Sequence, residues 1–88
     1  MKKLTIVLNN KYGLHARPAG LFVKTANKFK SSITIKKDGK SANGKSIMGI
    51  LGIAASKGDK LEIIAEGCDE VEAINEIRAL FDSILIHE

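Results

Sequence analysis

Tyr12-Gly13-Leu14-His15-Ala16-Arg17-Pro18-Ala19 sets a histidine just ahead of an apolar helical pattern, with an arginine two residues on and the chain's single proline next. Proline is tolerated in a first helical turn, where its missing N–H would lack an intrahelical partner anyway. The spacing therefore predicts a helix that opens here, with His15 at or beside its N-cap. The unpaired amides of that first turn and the positive end of the helix dipole together suit an anion. The same dipole disfavours an imidazolium and leaves more neutral imidazole, the nucleophilic form. If the ring accepted a phosphoryl group, these amides and the Arg17 guanidinium would hold the new negative charge. The spacing alone fits equally well a surface histidine in a loop beside an ordinary arginine.

Working outward, residues 2–8 alternate, with Leu4, Ile6 and Leu8 on one face, as a half-buried strand does. After the loop from Asn9 to Gly13, in which Tyr12 either leans over His15 or simply covers the loop, apolar residues at 19, 22, 23, 26 and 29 mark a helix from Ala16 to about Phe29. Ile33-Thr34-Ile35-Lys36 alternates again, and Asp38-Gly39 is a hairpin signal before a short strand from Lys40 to Asn43. Ser46 is a natural N-cap for a short helix containing Gly49 and Gly52. The apolar residues of that helix run nearly all round it. Ile47, Met48 and Leu51 are therefore either core or an exposed docking patch, and the pattern does not choose. Lys60–Glu66 reads as a strand with Leu61, Ile63 and Ala65 facing inwards. Asp69 with Glu72 resembles a capping box for a last helix whose stripe is Ile74, Ile77, Phe81 and Ile84. The order β-α-β-β-α-β-α predicts an α+β fold in which three helices cover one face of a four-stranded antiparallel sheet.

Eighty-eight residues suffice for one domain, 1–88, with one two-layer core. Apolar content of 44% and charged content of 27% are those of a soluble globular chain, and no apolar run approaches the ~20 residues of a membrane span. The basic start meets Asn9-Asn10 too soon for a signal peptide. Cys68, the lone cysteine, excludes an intramolecular disulfide, fits a reducing cytoplasm and reads as a filler at a turn. With His15 and His87 as the only histidines, no metal-ligand cluster is argued. Charge is polarised: residues 1–58 hold 12 Lys/Arg and one acid, whereas residues 59–88 hold two basic and nine acidic residues. A basic face carrying His15, Lys24, Lys28 and Lys45 suits nucleic acid, anionic substrates or acidic proteins, or is merely an uneven solvated surface.

Two motifs mislead. Gly39-Lys40-Ser41-Ala42-Asn43-Gly44-Lys45-Ser46 fits the written P-loop pattern, yet Gly39 serves the hairpin better and residues 40–43 leave no phosphate-wrapping loop. The element order is also that of the RNA-recognition motif. That module stacks bases on sheet aromatics, and Tyr12, Phe22, Phe29 and Phe81 fall on a loop and on helix patterns.

Gly13-Leu14-His15-Ala16-Arg17-Pro18-Ala19, Lys45-Ser46-Ile47-Met48-Gly49 and Ala54-Ala55-Ser56-Lys57-Gly58-Asp59 resemble HPr, the histidine-containing phosphocarrier family of the phosphoenolpyruvate-dependent sugar phosphotransferase system. The likeness covers essentially the whole chain and implies an open-faced β-sandwich. It also implies that His15 Nδ1 takes a phosphoryl group from phosphorylated enzyme I and passes it to IIA domains of sugar permeases, with Arg17 stabilising the phosphohistidine. Such a protein is a monomeric cytoplasmic carrier rather than a stand-alone enzyme, with no cofactor, metal, direct nucleic-acid contact or membrane insertion. The stretch around Ser46 is similar to the Gram-positive branch, where the matching serine is phosphorylated by HPr kinase/phosphorylase and the product is a corepressor of catabolite control protein A. In many members that serine is only an N-cap. By position, partners would dock on Gly20, Lys24, Asn27, Ile47, Met48, Leu51 and Gly52, the two glycines replacing larger residues. A regulatory HPr-like paralogue and a nitrogen-branch carrier are the rivals within the family. Described paralogues lack the active histidine, and the Ser46 stretch weighs against the nitrogen branch. The apolar ending Ser83-Ile84-Leu85-Ile86-His87-Glu88 departs from the usual charged one.

Overall fold

In a computed structural model of the chain, residues 1–8 and 13–87 are described, with side chains through residue 83. Tyr12 and the side chains of the apolar ending from Ile84 onward therefore lie outside what is described. The elements are β1 (Lys2–Val7), α1 (Ala16–Ala26), β2 (Ser32–Lys37), β3 (Lys40–Asn43), α2 (Ile47–Ile53), β4 (Lys60–Glu66) and α3 (Glu70–His87). The strands form one antiparallel sheet in the order β1-β4-β2-β3. All three helices lie on one side of it, the open-faced α+β arrangement that the alternation predicts.

Register explains which residues reach the core. Ile63 of β4 stands opposite Leu4 of β1 on one side and Ile35 of β2 on the other, and Ile35 in turn faces Ala42 of β3. Side chains alternate across a strand, so these residues and Leu61, Ala65 and Ile33 share the helix-covered face. All but the half-buried Ala42 are buried there against Phe22, Ile50, Ile53, Ile77 and Phe81. The Phe22 and Phe81 rings, one from α1 and one from α3, meet at a tilt of 59° with centroids 5.8 Å apart. A tilted pair suits the ring quadrupoles better than a stacked sandwich. Asp38 and Gly39 both have positive φ, 48° and 81°, as the Asp-Gly hairpin turn requires.

Two details depart from the sequence pattern. The first helix stops at Ala26, three residues before Phe29, because Asn27 ends it. Its backbone N–H and its side-chain amide both donate to Val23 O, the latter at 3.0 Å. The amides of Lys28 and Phe29 then bond three residues back, which tightens the turn. Phe29 remains packed against the core, so its apolar signal was real while its helical assignment was not.

The second departure is the capping box of the last helix. Asp69 heads α3 through its backbone, its carbonyl accepting the Ala73 N–H at 3.0 Å, but its carboxylate is engaged with another segment. Its carboxylate accepts the backbone amides of Lys30 and Ser31 at 2.8 and 2.9 Å and the buried Ser31 hydroxyl, joining the α1–β2 connection to the start of α3. The box-like bond is made by Glu70 instead of Glu72: its Oε1 accepts the Gly67 N–H at 3.1 Å, while its Oε2 pairs with the α-amino group at 2.7 Å. The Ser31 hydroxyl, followed by the Lys30 amide, holds the Asp69 carboxyl down at about 2. Hydrogen bonds to the charged form have that effect.

Candidate functional site

His15 is the N-cap of α1. Its backbone is extended, with φ −84° and ψ −171°, and its carbonyl accepts the Ala19 N–H at 3.0 Å, while the side chain makes no capping bond. The ring is half-buried and its Nε2 is covered. No acidic residue occupies the first turn of α1, so no carboxylate of that turn competes for its amides. Pro18 lies in that turn and is buried, and Arg17 beside it is exposed. An imidazole, a guanidinium and a helix N-terminus are thus gathered over three residues.

What holds this group in place comes from far along the chain. Gly13 has φ +65°, and a Cβ on it would lie 2.7 Å from Ser56 Cα and closer still to the Ala55 carbonyl. Leu14 N–H donates to that same carbonyl at 3.0 Å. The loop leading into α1 therefore sits directly on the 54–59 loop. That loop is itself anchored: Asp59 Oδ2 accepts the Ser56 amide at 2.7 Å and pairs with Lys37 Nζ at 3.0 Å, and Lys37 Nζ also donates to Ala54 O at 3.2 Å. The Ser56 N–H and then the Lys37 ammonium hold the Asp59 carboxyl below the usual carboxylate range. Nothing in the sequence pattern flagged Lys37. The Gly13–Ala55 approach had only a glycine before the histidine as its signal.

Ser46 is the N-cap of α2, its Oγ accepting the Gly49 N–H at 3.1 Å. The helix buries Ile50 and Ile53 and leaves Ile47, Met48 and Leu51 outside at 40%, 77% and 36% exposure. The pattern's ambiguity is thereby resolved towards an exposed apolar patch. Two turns of helix cannot direct five large side chains towards a single core. Gly20 of α1 adjoins this patch, since a Cβ there would lie 3.8 Å from Ile47 Cδ1 in ordinary contact, and Gly52 faces open space. Neither glycine is demanded by packing, so both leave the surface flatter than a larger residue would. Lys24 and Asn27 are exposed along α1, although the Asn27 amide is occupied at the helix end.

The basic face is smaller than the residue tally implies. Lys45 turns back and donates to Phe29 O at 2.7 Å, and Lys28 pairs with Glu76 at 3.1 Å. The P-loop match dissolves: residues 40–43 form β3, and a Cβ on Gly44 would lie 2.6 Å from Ile33 Cγ2, so this backbone is packed against core. None of the four strands carries an aromatic residue, which removes the stacking platform of an RNA-recognition sheet. Cys68 is exposed in the turn before α3, and among the described residues no group of three or more His, Cys, Asp or Glu is placed to hold a metal ion. No helix among them is long and apolar enough to cross a membrane.

Comparison with known proteins agrees with this geometry. A family model described as the PTS HPr component phosphorylation site matches residues 2–83. The chain is 46% identical over 84 residues to the phosphocarrier protein HPr of Neisseria meningitidis, covering 96% of this chain and 91% of that protein. It is 51% identical over 69 residues to the HPr-like protein Crh of Bacillus subtilis, covering 78% of this chain and 81% of Crh. Among solved structures, HPr-C-His from Thermoanaerobacter tengcongensis superposes with a TM-score of 0.94 at 51% identity, covering 100% of this chain and 99% of that one. An HPr dimer from the same organism gives 0.77 at 52% identity, covering 97% and 98%. On fold and sequence alike, the chain belongs to the HPr phosphocarrier family of the phosphotransferase system.

Proposed function

We propose that this protein carries phosphoryl groups on His15 between phosphorylated enzyme I and the IIA domains of sugar permeases. The observation that carries the reading is His15 at the N-cap of α1, a helix whose first turn carries no acid. With Nε2 covered, Nδ1 is the acceptor. Its lone pair forms the P–N bond as the bond to the donor breaks, and the reverse exchange delivers the group to IIA. Positioning and charge neutralisation are the whole requirement, since the phosphoryl group moves between oriented nucleophiles. Arg17 and the amides neutralise the phosphohistidine. A half-buried ring keeps the group within reach of the next protein. The exposed face of Gly20, Lys24, Asn27, Ile47, Met48, Leu51 and Gly52 is the docking surface for both partners. All these groups belong to one chain, so a cytoplasmic monomer suffices.

Phosphorus NMR after incubation with phosphoenolpyruvate, magnesium and a bacterial enzyme I tests the carrier role, with His15→Ala as control. An acid-labile phosphohistidine signal is expected in the parent and not in the variant. Its absence from the parent, with enzyme I active on a known acceptor, overturns the reading.

A second role at Ser46 is favoured by its place at the N-cap next to exposed Ile47 and Met48. A phosphate there adds about −1.5 to −2 charges beside the helix end. It puts that charge inside the docking patch, which slows exchange with acidic partners and creates a different surface for a repressor such as catabolite control protein A. Labelling with ATP and HPr kinase/phosphorylase is expected in the parent and lost in Ser46→Ala. Labelling that persists in the variant rules Ser46 out.

A further inference from the structure

We propose that Lys37, at the far end of β2, is a positioning residue for His15, acting through the 54–59 loop on which the histidine's own loop rests. The role presupposes His15 as the phosphoryl acceptor. Lys37 is the last residue of its strand, and its side chain is only 16% exposed. One ammonium meets both ends of the loop, Ala54 O at 3.2 Å and Asp59 Oδ2 at 3.0 Å. The same Asp59 oxygen accepts the Ser56 N–H at 2.7 Å, so the loop closes upon itself around Lys37. Ala54 sits in the left-handed region at φ 56°, which an alanine does not favour, and a bond to its carbonyl helps keep it there. Between the two tethers lies Ala55, whose carbonyl takes the Leu14 N–H and abuts Gly13. Asp59 is fastened on the other side as well, its carbonyl accepting the Leu8 N–H at 2.9 Å.

A half-buried ammonium with a carboxylate and a carbonyl is a fixed pair in a way that exposed surface ion pairs are not. Removing it frees the loop to move by fractions of an ångström, and His15 moves with Leu14. Phosphoryl transfer depends on such placement, because a misplacement of 1 Å can cost on the order of a hundredfold in rate. Lys37 touches no reacting atom. Its effect falls on turnover and not on recognition, since no docking residue lies on the loop.

The test compares Lys37→Met, which keeps the stem and removes the charge, with Lys37→Arg and with Lys36→Met. Lys36 is exposed next door and controls for net charge. Lys37→Met is expected to lower the maximal rate of phosphoryl acceptance from enzyme I by about three- to tenfold with KM unchanged, and to speed exchange of the Leu14 amide by about tenfold. Lys37→Arg restores most of the rate, and Lys36→Met behaves as the parent. Parent-like turnover and Leu14 protection in Lys37→Met overturn the proposal, as does a change confined to KM. If Lys37→Met does not fold, Asp59→Asn decides: a smaller loss in the same direction supports the role, and unchanged turnover overturns it. A parent that accepts no phosphoryl group refutes the carrier function instead, and Leu14 exchange still reports whether Lys37 holds the loop.

Discussion

Replacing Gly13 by alanine is the sharpest probe of how the site is held. Two costs add. An L-residue at φ +65° is strained by roughly 1–2 kcal/mol relative to glycine. The new methyl group would also sit 2.7 Å from Ser56 Cα, a backbone atom that cannot rotate away. The loop has to lift, and the Leu14–Ala55 hydrogen bond, worth about 1 kcal/mol net, lengthens or breaks. Together these predict a loss of about 2–3 kcal/mol. With a urea slope of about 1 kcal/mol/M for so small a domain, the unfolding midpoint falls by about 2–3 M. Gly39→Ala is the matched control, because Gly39 also has positive φ, at 81°, but nothing stands within 4 Å of where its Cβ would be. It pays the conformational cost alone, about 1 kcal/mol. The difference between the two variants measures the close approach. Equal midpoints for Gly13→Ala and Gly39→Ala would refute the tight seating of the His15 loop on Ala55 and Ser56.

Three further outcomes follow from the same contacts. Ala54→Gly relieves a left-handed alanine at the end of α2 and is expected to raise stability by about 0.5–1 kcal/mol in urea melts; a destabilised variant would contradict the strain. Asp69, with its folded pKa depressed to about 2, contributes stability that is present above its unfolded value near 4 and is lost as pH falls from about 4 towards 2. Asp69→Asn is therefore less stable than the parent at neutral pH and shows a flatter acid limb in circular dichroism, and an unchanged limb would exclude Asp69 as its source. Met48→Ser, at a side chain 77% exposed, changes folding stability by less than about 0.5 kcal/mol while weakening exchange with enzyme I, read as a higher KM; an unchanged KM would remove Met48 from the docking surface.

Much of this molecule is legible in one dimension because its signals are local and periodic. The alternation of Ile33 and Ile35, and of Leu61, Ile63 and Ala65, yields strands with the correct inner face, since side-chain direction in a strand follows from a period of two. Asp38-Gly39 and Ser46 name their turn and cap because the backbone geometry at those points selects few residue types. The same locality made His15 and Arg17 candidates, and with them the family. Misreadings arose where two distant segments compete for one group. Asp69 has the right spacing to Glu72 for a cap, yet Lys30 and Ser31, almost forty residues away, claim its carboxylate. Lys45 and Lys28 count as free positive charge until the fold gives them Phe29 O and Glu76.

The element order, the inner faces, the histidine at a helix start and the apolar surplus on the short helix can all be read along the chain. Which apolar residues of α2 stay outside, and the seating of the His15 loop on residues 54–59 beside Lys37, emerge once the chain is folded. The physical reason is that periodicity and capping are properties of neighbouring residues, whereas a hydrogen bond between residues 37 and 54, or 14 and 55, exists only once the sheet has brought them together.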